Sequence, residues 1–425
     1  MDLARREGSP KTPLPARFKL HLRFGPGMRF HRDMKNLIRS ALLLAALCAA
    51  ALCVSDATAL VKSLARIDEL IYIGTNTGGK SQGIYVFKLS MSTGQLTPLG
   101  LAAPSNSPAF LAVDPTHRYL YAVNEVGDYQ GGKTGSVSAF VINHRTGKLT
   151  LLNTVDSGGA GPTHLVVDKS GKYVLVANYG AGSVALFPIL SGGSLGKARL
   201  VLPHTGHSVD PGRQKEPHAH SIYVSPDNHF AVSADLGTDQ IYVYRFDAAK
   251  GTLTPNNPPT VAVAPGSGPR HFAFDPHGRF GYVIQEMAST ITAFSYDAAH
   301  GRLTQIQDVS TLPPGYKSES DCAEIFVHPF GKFLYGSNRG HDSIAVFAID
   351  PVKGTLTPVE TDSTQGKTPR SFGMDPTGHY LIAANQDSDS IVLFRIDGDT
   401  GHLTPVGTKL DVPSPTCVLF EPVQY

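Results

Sequence analysis

The stretch HFAFDPHGRFGYVIQE, residues 271–286, contains two short apolar segments separated by a tight polar turn. Both segments are rich in Phe, Tyr, Val and Ile, and the Asp-Pro-x-Gly sequence between them is typical of a turn. The stretch therefore predicts a β-hairpin. Because the strands of a hairpin run in opposite directions, His271 and Glu286 at its open end are expected to lie side by side.

The same pattern recurs along the chain at an interval of about fifty residues. Its other copies are FLAVDPTHRYLYAVNE (110–125), HLVVDKSGKYVLVANY (164–179), SIYVSPDNHFAVSADL (221–236), EIFVHPFGKFLYGSNR (324–339) and SFGMDPTGHYLIAANQ (371–386). A second marker, Gly-x-Leu-Thr, begins at Gly94, Gly147, Gly251, Gly301, Gly354 and Gly401, with a degenerate copy at Gly193. Each repeat contains two further strand-like segments, so the sequence predicts an all-β propeller with four antiparallel strands in each blade.

The two ends of the repeat region complement each other. The first unit, which opens with ELIYIGTN (69–76), lacks an innermost strand, and the C-terminal SPTCVLFEP (414–422) is an innermost strand without a blade. We therefore predict seven blades, with the C-terminal strand completing the first blade and closing the ring. An open solenoid is the alternative, but its ends would carry polar caps instead of complementary half-blades.

The N-terminal part of the chain has a different character. Lys35 and Arg39 precede an apolar run over residues 41–54, and small residues follow at 57–59. This pattern predicts a secretory signal peptide, with Met34 as the start codon and a periplasmic or secreted product. We therefore divide the chain into an extension with its signal peptide (1–59) and a propeller (60–425), with no stable membrane span after cleavage. An uncleaved membrane anchor is the alternative interpretation, although the run is short for one.

Composition and cysteine content exclude several other classes of protein. The formal net charge is +2 and charged residues make up 17% of the chain, so we expect no nucleic-acid or anionic-membrane partner. Once residues 1–59 are removed, Cys322 and Cys417 remain, which is too few for a disulfide framework. They fall in blades that are not adjacent, so we expect no bridge between them. We also expect a monomer.

Polar residues converge on one end of the predicted channel. The first strand of each blade lines the channel, and its start lies beside the end of the antiparallel second strand. The first-strand column is Ala109, Thr163, His220, Arg270, Ala323, Arg370 and Thr416, and the next column is Phe110, His164, Ser221, His271, Glu324, Ser371 and Cys417. The second strands end at Glu125, Tyr179, Leu236, Glu286, Arg339 and Gln386, each preceded by an Asn, Asp or Gln. One mouth is therefore expected to collect arginine, histidine and carboxylate groups that need a ligand or one another.

Structural roles must be weighed against functional ones. The Asn residues that end the second strands are expected to bind neighbouring backbone, His164 and His271 are as readily explained by packing, and the charged residues could form a ring of structural ion pairs. His204, His207, His218 and His220 lie close together in sequence but lack a metal-binding spacing. We therefore expect no metal and no cofactor.

Three segments give this pattern a family resemblance. SVDPGRQKEPHAHSIYVSPDNHFAVSADLGTDQIYVYRFD, GSGPRHFAFDPHGRFGYVIQE and FLYGSNRGHDSIAVFAID resemble the seven-bladed propeller lactonases, which include bacterial 6-phosphogluconolactonases and a fungal carboxymuconate-lactonizing enzyme. The resemblance covers roughly residues 69–423 and implies functional roles for His220, Arg270, Glu286 and Arg339. It also implies that Arg213 and Gln214, in the loop before the Pro-His-x-His motif, contribute to the mouth.

The expected activity is metal-independent hydrolysis of a small-molecule sugar lactone. Glu286 is the expected base with His220 as second candidate, and Arg270 or His220 would stabilise the developing oxyanion. The residues expected to bind substrate are Arg339, Arg370, His271, His218, Arg213, Gln214 and Glu125. Since phosphogluconolactone arises in the cytosol, an exported member is expected to act on an unphosphorylated lactone. The rival readings are a carboxymuconate-type cycloisomerase and a non-catalytic binding propeller.

Overall fold

The computed structural model describes residues 68–423, so the predicted signal peptide lies outside the described residues. These residues form seven four-stranded antiparallel sheets, with two 3-10 turns at Tyr129–Gly131 and Gln386–Ser388. The first three blades contain β1 (Glu69–Thr75), β2 (Gly83–Leu89), β3 (Leu96–Pro104), β4 (Pro108–Val113), β5 (Tyr119–Asn124), β6 (Ser136–Ile142), β7 (Leu149–Asp156), β8 (Pro162–Val167), β9 (Tyr173–Asn178), β10 (Ser183–Pro188) and β11 (Leu200–Pro203). The next two contain β12 (Ala219–Val224), β13 (Phe230–Asp235), β14 (Gln240–Asp247), β15 (Thr252–Ala262), β16 (Pro269–Phe274), β17 (Phe280–Gln285), β18 (Thr290–Asp297) and β19 (Arg302–Ser310). The last strands are β20 (Asp321–Val327), β21 (Phe333–Arg339), β22 (Ser343–Ile349), β23 (Leu356–Ser363), β24 (Pro369–Met374), β25 (Tyr380–Asn385), β26 (Ser390–Ile396), β27 (Leu403–Asp411) and β28 (Pro415–Pro422).

The ring closes as the sequence predicts. Strand β28 pairs with β1 and supplies the innermost strand of the first blade, with Tyr72 opposite Leu419. Each innermost strand also contacts the innermost strands of both neighbouring blades, from β4 round to β28. A closed ring leaves no blade without neighbours on both faces, which protects the sheets from pairing with other chains.

The Gly-x-Leu-Thr marker is explained by contacts between blades. Its glycine has a positive φ, +62° at Gly251, and a Cβ there would lie 2.3 Å from the Tyr173 hydroxyl of the preceding blade. The leucine two positions later, such as Leu253, is buried in the same inter-blade layer. Glycine therefore satisfies both the left-handed turn and the close approach of an aromatic ring.

The hydrophobic core consists of layers between adjacent blades. The second strands β9, β13, β17 and β25 are buried at every residue because a neighbouring blade covers each of their faces. One layer joins Phe333 and Tyr335 of β21 to Phe372 and Leu381 of the next blade. Each such large side chain contributes roughly 1.5–3 kcal/mol when it is fully buried. In the outermost strands β23 and β27 only the first residue is buried and the others are exposed or half-buried, as expected for a sheet edge that faces solvent.

The Asn residues at the ends of the second strands hold the loops between blades. Asn124 Nδ2 donates to the Asn106 carbonyl at 2.8 Å, and Asn178 and Asn385 make equivalent bonds to loop carbonyls at 3.1 Å. The expectation that these amides bind backbone is therefore confirmed. Since the loops begin the innermost strands, these bonds also fix one rim of the channel.

Within residues 68–423, no helix has the length and apolar character needed to cross a membrane.

Candidate active site

A β-bulge interrupts each innermost strand near its start. In β16, Pro269 pairs with Gln285 and His271 pairs with Ile284, which leaves Arg270 as the extra residue. The equivalent extra residues are Ala109, Thr163, His220, Arg370 and Thr416, and in β20 the irregularity spans Ala323 and Glu324. Bulges redirect side chains and are common beside active sites. The whole first-strand column predicted from the sequence coincides with this bulge.

Glu286 is the centre of a cluster of guanidinium groups at the mouth. Its Oε2 lies 2.9 Å from Arg270 Nε and 3.1 Å from Arg339 Nη2, and its Oε1 lies 2.8 Å from Arg213 Nη2. Burial alone would raise the pKa of Glu286, but Arg339, Arg270 and Arg213 outweigh it and lower the pKa to about 2. A carboxylate stabilised to this degree is a weak base. That Glu286 takes a proton from water stays a prediction, and its surroundings favour the ionised form of the carboxylate.

Backbone carbonyls accept hydrogen bonds from two of these guanidiniums. Arg270 Nη1 donates to the Ala323 carbonyl and Arg339 Nη2 to the Cys322 carbonyl, both at 2.8 Å. Arg270 is almost fully buried, and burial with the neighbouring Arg339 lowers its pKa to about 10. Arg213 comes from the loop between β11 and β12, and it is the most exposed of the three side chains that hold Glu286.

His220 is a buried and neutral imidazole beside this cluster. Its Nε2 lies 3.8 Å from Glu286 Oε2, and its Nδ1 has no hydrogen-bond partner among the described residues. Burial and the charge of Arg270 hold the pKa of His220 well below its usual range. A neutral imidazole with an unpaired nitrogen can still bind a substrate oxygen or hydroxyl group.

These groups surround a cavity of about 300 Å³. It is lined by Glu125, Thr163, Tyr179, Arg213, His220, Glu286, Asp321, Arg339 and Arg370. The residues that line it come from six of the seven blades or the loops beside them, and they enclose a space of the size that holds a small ligand. Arg270 and Glu286 therefore lie together at one mouth, as the hairpin argument predicts.

Comparison with known proteins agrees with this architecture. The family described as "Lactonase, 7-bladed beta-propeller" matches residues 70–420.

The chain belongs to the seven-bladed β-propeller lactonase family.

Named relatives share this fold over most of their length. The lactonase is 39% identical to a 6-phosphogluconolactonase of Bacillus subtilis over 305 residues, which cover 72% of this chain and 84% of that one. It is 35% identical to a 6-phosphogluconolactonase of Formosa agariphila over 313 residues, 72% of this chain and 86% of the relative. Among solved structures, the periplasmic gluconolactonase of Pseudomonas aeruginosa superimposes with a TM-score of 0.78 at 33% identity and covers 84% of this chain and 100% of that one. The alternative of a muconate cycloisomerase is not favoured by these relatives.

Asp321 lines the cavity of the lactonase but is not among the residues expected from the sequence. It is the first residue of β20 and pairs with Arg339 on β21. The column alignment misses it because it lies two residues before Ala323, the position aligned with Arg270. The only signal in the sequence is its place just ahead of a predicted strand. Many structural aspartates share that signal.

The remaining predicted residues separate into two groups. Arg370 and Glu125 line the cavity and form an ion pair at 3.5 Å. His218 stacks on Tyr179 with ring centroids 4.4 Å apart. Gln214 is buried, and its amide bonds to the Leu236 carbonyl at 2.8 Å and accepts from the Asp210 amide. His218 therefore packs against a residue that lines the cavity, and Gln214 holds the backbone of the adjacent loop.

His271 belongs to a layer beneath the mouth. Its Nδ1 lies 2.7 Å from Glu324 Oε1, and Ser371 donates to Glu324 Oε2 at 3.2 Å. The ring of His164 lies 5.2 Å from that of His271, edge to face. Burial raises the pKa of Glu324 to about 7. This layer separates the polar cavity from an apolar channel of about 550 Å³ that opens on the other side.

The four histidines weighed as metal ligands do not converge. His204 Nδ1 lies 2.6 Å from Asp235 and its ring stacks on Tyr242, while His207 is exposed. Across residues 68–423, no three His, Cys, Asp or Glu side chains are arranged to hold a metal ion. Cys322 and Cys417 are both buried free thiols.

Proposed function

We propose that this lactonase hydrolyses a sugar-derived lactone in the cavity around Glu286. The convergence of three guanidiniums on one buried carboxylate, beside a neutral imidazole, supports the proposal most strongly. Hydrolysis of a lactone creates negative charge on the carbonyl oxygen, and fixed positive groups stabilise that charge in the transition state. The named relatives, which are gluconolactonases or 6-phosphogluconolactonases, support a sugar lactone as the substrate class.

Arg339 and His220 are the proposed donors to the carbonyl oxygen. Both side chains line the cavity, and each can donate an N–H group to an oxygen atom there. Glu286 serves as a positioning residue in this proposal, because its carboxylate holds Arg213, Arg270 and Arg339 in place. Preorganised donors need no rearrangement when charge develops, which is the main source of their catalytic effect.

The preferred substrate in this proposal carries no phosphate. Each guanidinium at the mouth already has a carboxylate partner, since Arg213, Arg270 and Arg339 bind Glu286 and Arg370 binds Glu125. A phosphate dianion would have to share these guanidiniums with the carboxylates that already neutralise their charge. A neutral lactone needs only hydrogen bonds from the same groups. An unphosphorylated lactone also fits export of the protein.

Export and a periplasmic or secreted location are part of the proposal. The N-terminal segment has the signal-peptide pattern, and one structural relative is named a periplasmic gluconolactonase. N-terminal sequencing of the mature protein tests this: we expect it to begin near residue 60. A mature protein that retains residues 34–59 would contradict cleavage.

A substrate panel tests the activity. Purified propeller is assayed with glucono-δ-lactone, with its 6-phosphate and with a carboxymuconate. We expect saturable hydrolysis of the sugar lactone, with kcat/KM at least as high without the phosphate as with it. Arg270→Ala is expected to lower kcat/KM by at least about a hundredfold, because Arg270 and Arg339 share Glu286 Oε2 and loss of one disturbs the preorganised cluster. Hydrolysis no faster than the spontaneous rate, or turnover of the muconate alone, would overturn the proposal.

A further inference from the structure

The cavity needs a base that can accept a proton from water, and its groups differ sharply in their freedom to do so. Three carboxylates line it, those of Glu125, Glu286 and Asp321. Glu286 is bound by three guanidiniums, and Glu125 is paired with Arg370. The side chain of Asp321 makes no hydrogen bond or ion pair with any residue in the described range 68–423. It is the one lining carboxylate of that range that forms no ion pair with a guanidinium.

The backbone holds Asp321 between the other site residues. It pairs with Arg339 across β20 and β21, and the adjacent Ser320 hydroxyl donates to the Arg339 carbonyl at 3.1 Å. On its other side, the Cys322 amide donates to the Glu286 carbonyl at 3.0 Å. Bonds on both flanks thus fix Asp321 relative to Arg339 and Glu286. The carboxylate itself is half-buried at the cavity wall, where both water and substrate can reach it.

We infer that Asp321 is the general base of the lactonase reaction, and this inference rests on the proposed function. The Asp321 carboxylate takes a proton from water, and the water oxygen forms a bond to the lactone carbonyl carbon. The carbonyl π electrons move to its oxygen, which Arg339 and His220 stabilise. As the carbonyl re-forms, the ring C–O bond breaks and the leaving alkoxide takes the proton back from Asp321. The product is the open hydroxy acid, and Asp321 returns to its ionised state.

The electrostatic surroundings support this role. Burial and the nearby charge of Glu286 raise the pKa of Asp321 above its ordinary 3.8, while Glu286 itself is held at about 2. A general base is more effective as its pKa approaches the working pH, provided that it remains ionised. Burial and the charge of Arg270 hold the pKa of His220 well below its usual range, so His220 is a weaker base than an ordinary imidazole.

The pH profile of Asp321→Asn tests the inference. We expect kcat for glucono-δ-lactone to fall at least about a hundredfold with KM changed less than about threefold, as for loss of a general base. The acidic limb of the wild-type kcat/KM profile, expected above pH 3.8, should disappear in this variant and persist in the residual activity of Glu286→Gln. Asp321→Ala should regain activity with added formate, a small carboxylate that can replace the missing base.

Asp362→Asn is the matched control. Asp362 lies on β23 in the same blade, is partly buried and also has a raised pKa, but it is outside the cavity. We expect its rate and pH profile to match wild type. Asp321→Asn with wild-type kcat, or with its acidic limb intact, would overturn the inference, as would a wild-type profile without an acidic limb. If the wild-type protein hydrolyses no lactone at all, the proposed function fails instead.

Discussion

Two buried glutamates in adjacent blades have opposite electrostatic environments. Glu286 is 4% exposed and Glu324 is 2% exposed, so burial penalises the charged form of each to a similar degree. The pKa of Glu286 is nevertheless lowered to about 2, and that of Glu324 is raised to about 7. The difference lies in their partners. Glu286 binds three guanidiniums, whereas Glu324 binds an imidazole, a hydroxyl and a backbone amide.

Two layers of one channel therefore hold their carboxylates in different protonation states near neutral pH. A carboxylate surrounded by permanent cations remains charged and organises those cations. A carboxylate whose hydrogen-bond partners are neutral gains or loses its proton near neutral pH, as Glu324 does in the layer beneath the cavity. Burial alone therefore does not predict whether a carboxylate is ionised or protonated near neutral pH. The number and type of cations in contact with the carboxylate decide its protonation state.

Removing the anchor is expected to have the largest effect. Glu286→Gln should lower kcat/KM for a sugar lactone by at least about a hundredfold, because Arg213, Arg270 and Arg339 lose the charge that positions them. The measurement is initial-rate hydrolysis with the fold checked by circular dichroism. Activity within tenfold of wild type in a folded variant would show that the cluster is structural.

The pH dependence of stability is expected to distinguish the two glutamates by sign. The pKa of Glu286 is below its ordinary 4.5. The stabilisation of the folded state by Glu286 is therefore present above pH 4.5 and is lost as pH falls towards 2. The pKa of Glu324 is above 4.5, so its contribution is largest below pH 4.5 and is lost as pH rises through 7. Across each of these pH ranges, the free energy of unfolding should change by about 3 kcal/mol, since one pKa unit corresponds to 1.36 kcal/mol.

Denaturant unfolding of wild type, Glu286→Gln and Glu324→Gln across pH 2–8 measures these changes. The stability difference between wild type and Glu286→Gln should grow from pH 2 to 4.5. Between pH 4.5 and 7, the free energy of unfolding of wild type should fall relative to that of Glu324→Gln, because Glu324 loses its proton in this range. If the stability difference from wild type changed with pH in the same direction for both variants, the two glutamates would not have opposite electrostatic environments.

Glu324→Gln is expected to affect activity less than Glu286→Gln does. The amide can still accept a bond from His271 and from the Ile325 amide, and Glu324 does not line the cavity. We expect kcat/KM to fall by no more than about tenfold, through small shifts of His271. A loss as large as that of Glu286→Gln, measured in the same assay, would place the lower layer in the reaction itself.

Arg370→Ala should have the smallest effect. Its ion pair with Glu125 is long, at 3.5 Å, and both side chains are partly exposed, so we expect stability to change by less than about 1 kcal/mol. Arg370 lines the cavity, and its loss should raise KM a few-fold while kcat is retained. Steady-state kinetics with thermal melting measures both. A fall in kcat with unchanged KM would contradict a role limited to binding.

The sequence predicted the fold in detail because propeller blades carry local signals. Glycine at the left-handed turn before each outermost strand and aspartate at four of the hairpin turns act through neighbouring residues. Asp275, for example, accepts the Phe280 amide at 2.7 Å. The glycine recurs in every blade, and the complementary ends of the repeat region predicted the closure of the ring. Repetition thus turned weak local preferences into a reliable prediction of architecture.

The residues of the site were predicted more completely than their chemistry. The strand columns brought His220, Arg270, Glu286 and Arg339 to one mouth, and these residues do meet there. They did not reveal the bulges that direct Arg270 and His220 inward, nor the entry of Asp321 from before a strand. They also could not give the three ion pairs that lower the pKa of Glu286.

The amino-acid sequence by itself determined the seven blades, their closure and the end of the channel where charge collects. These properties follow from turn chemistry and strand alternation, which act over a few residues. Only the tertiary structure decided which carboxylate is anchored, which is protonated near neutral pH and which is free. The reason is that a pKa depends on burial and on charges within a few ångströms, and residues such as Arg213 and Glu286 reach that distance only once the ring has closed.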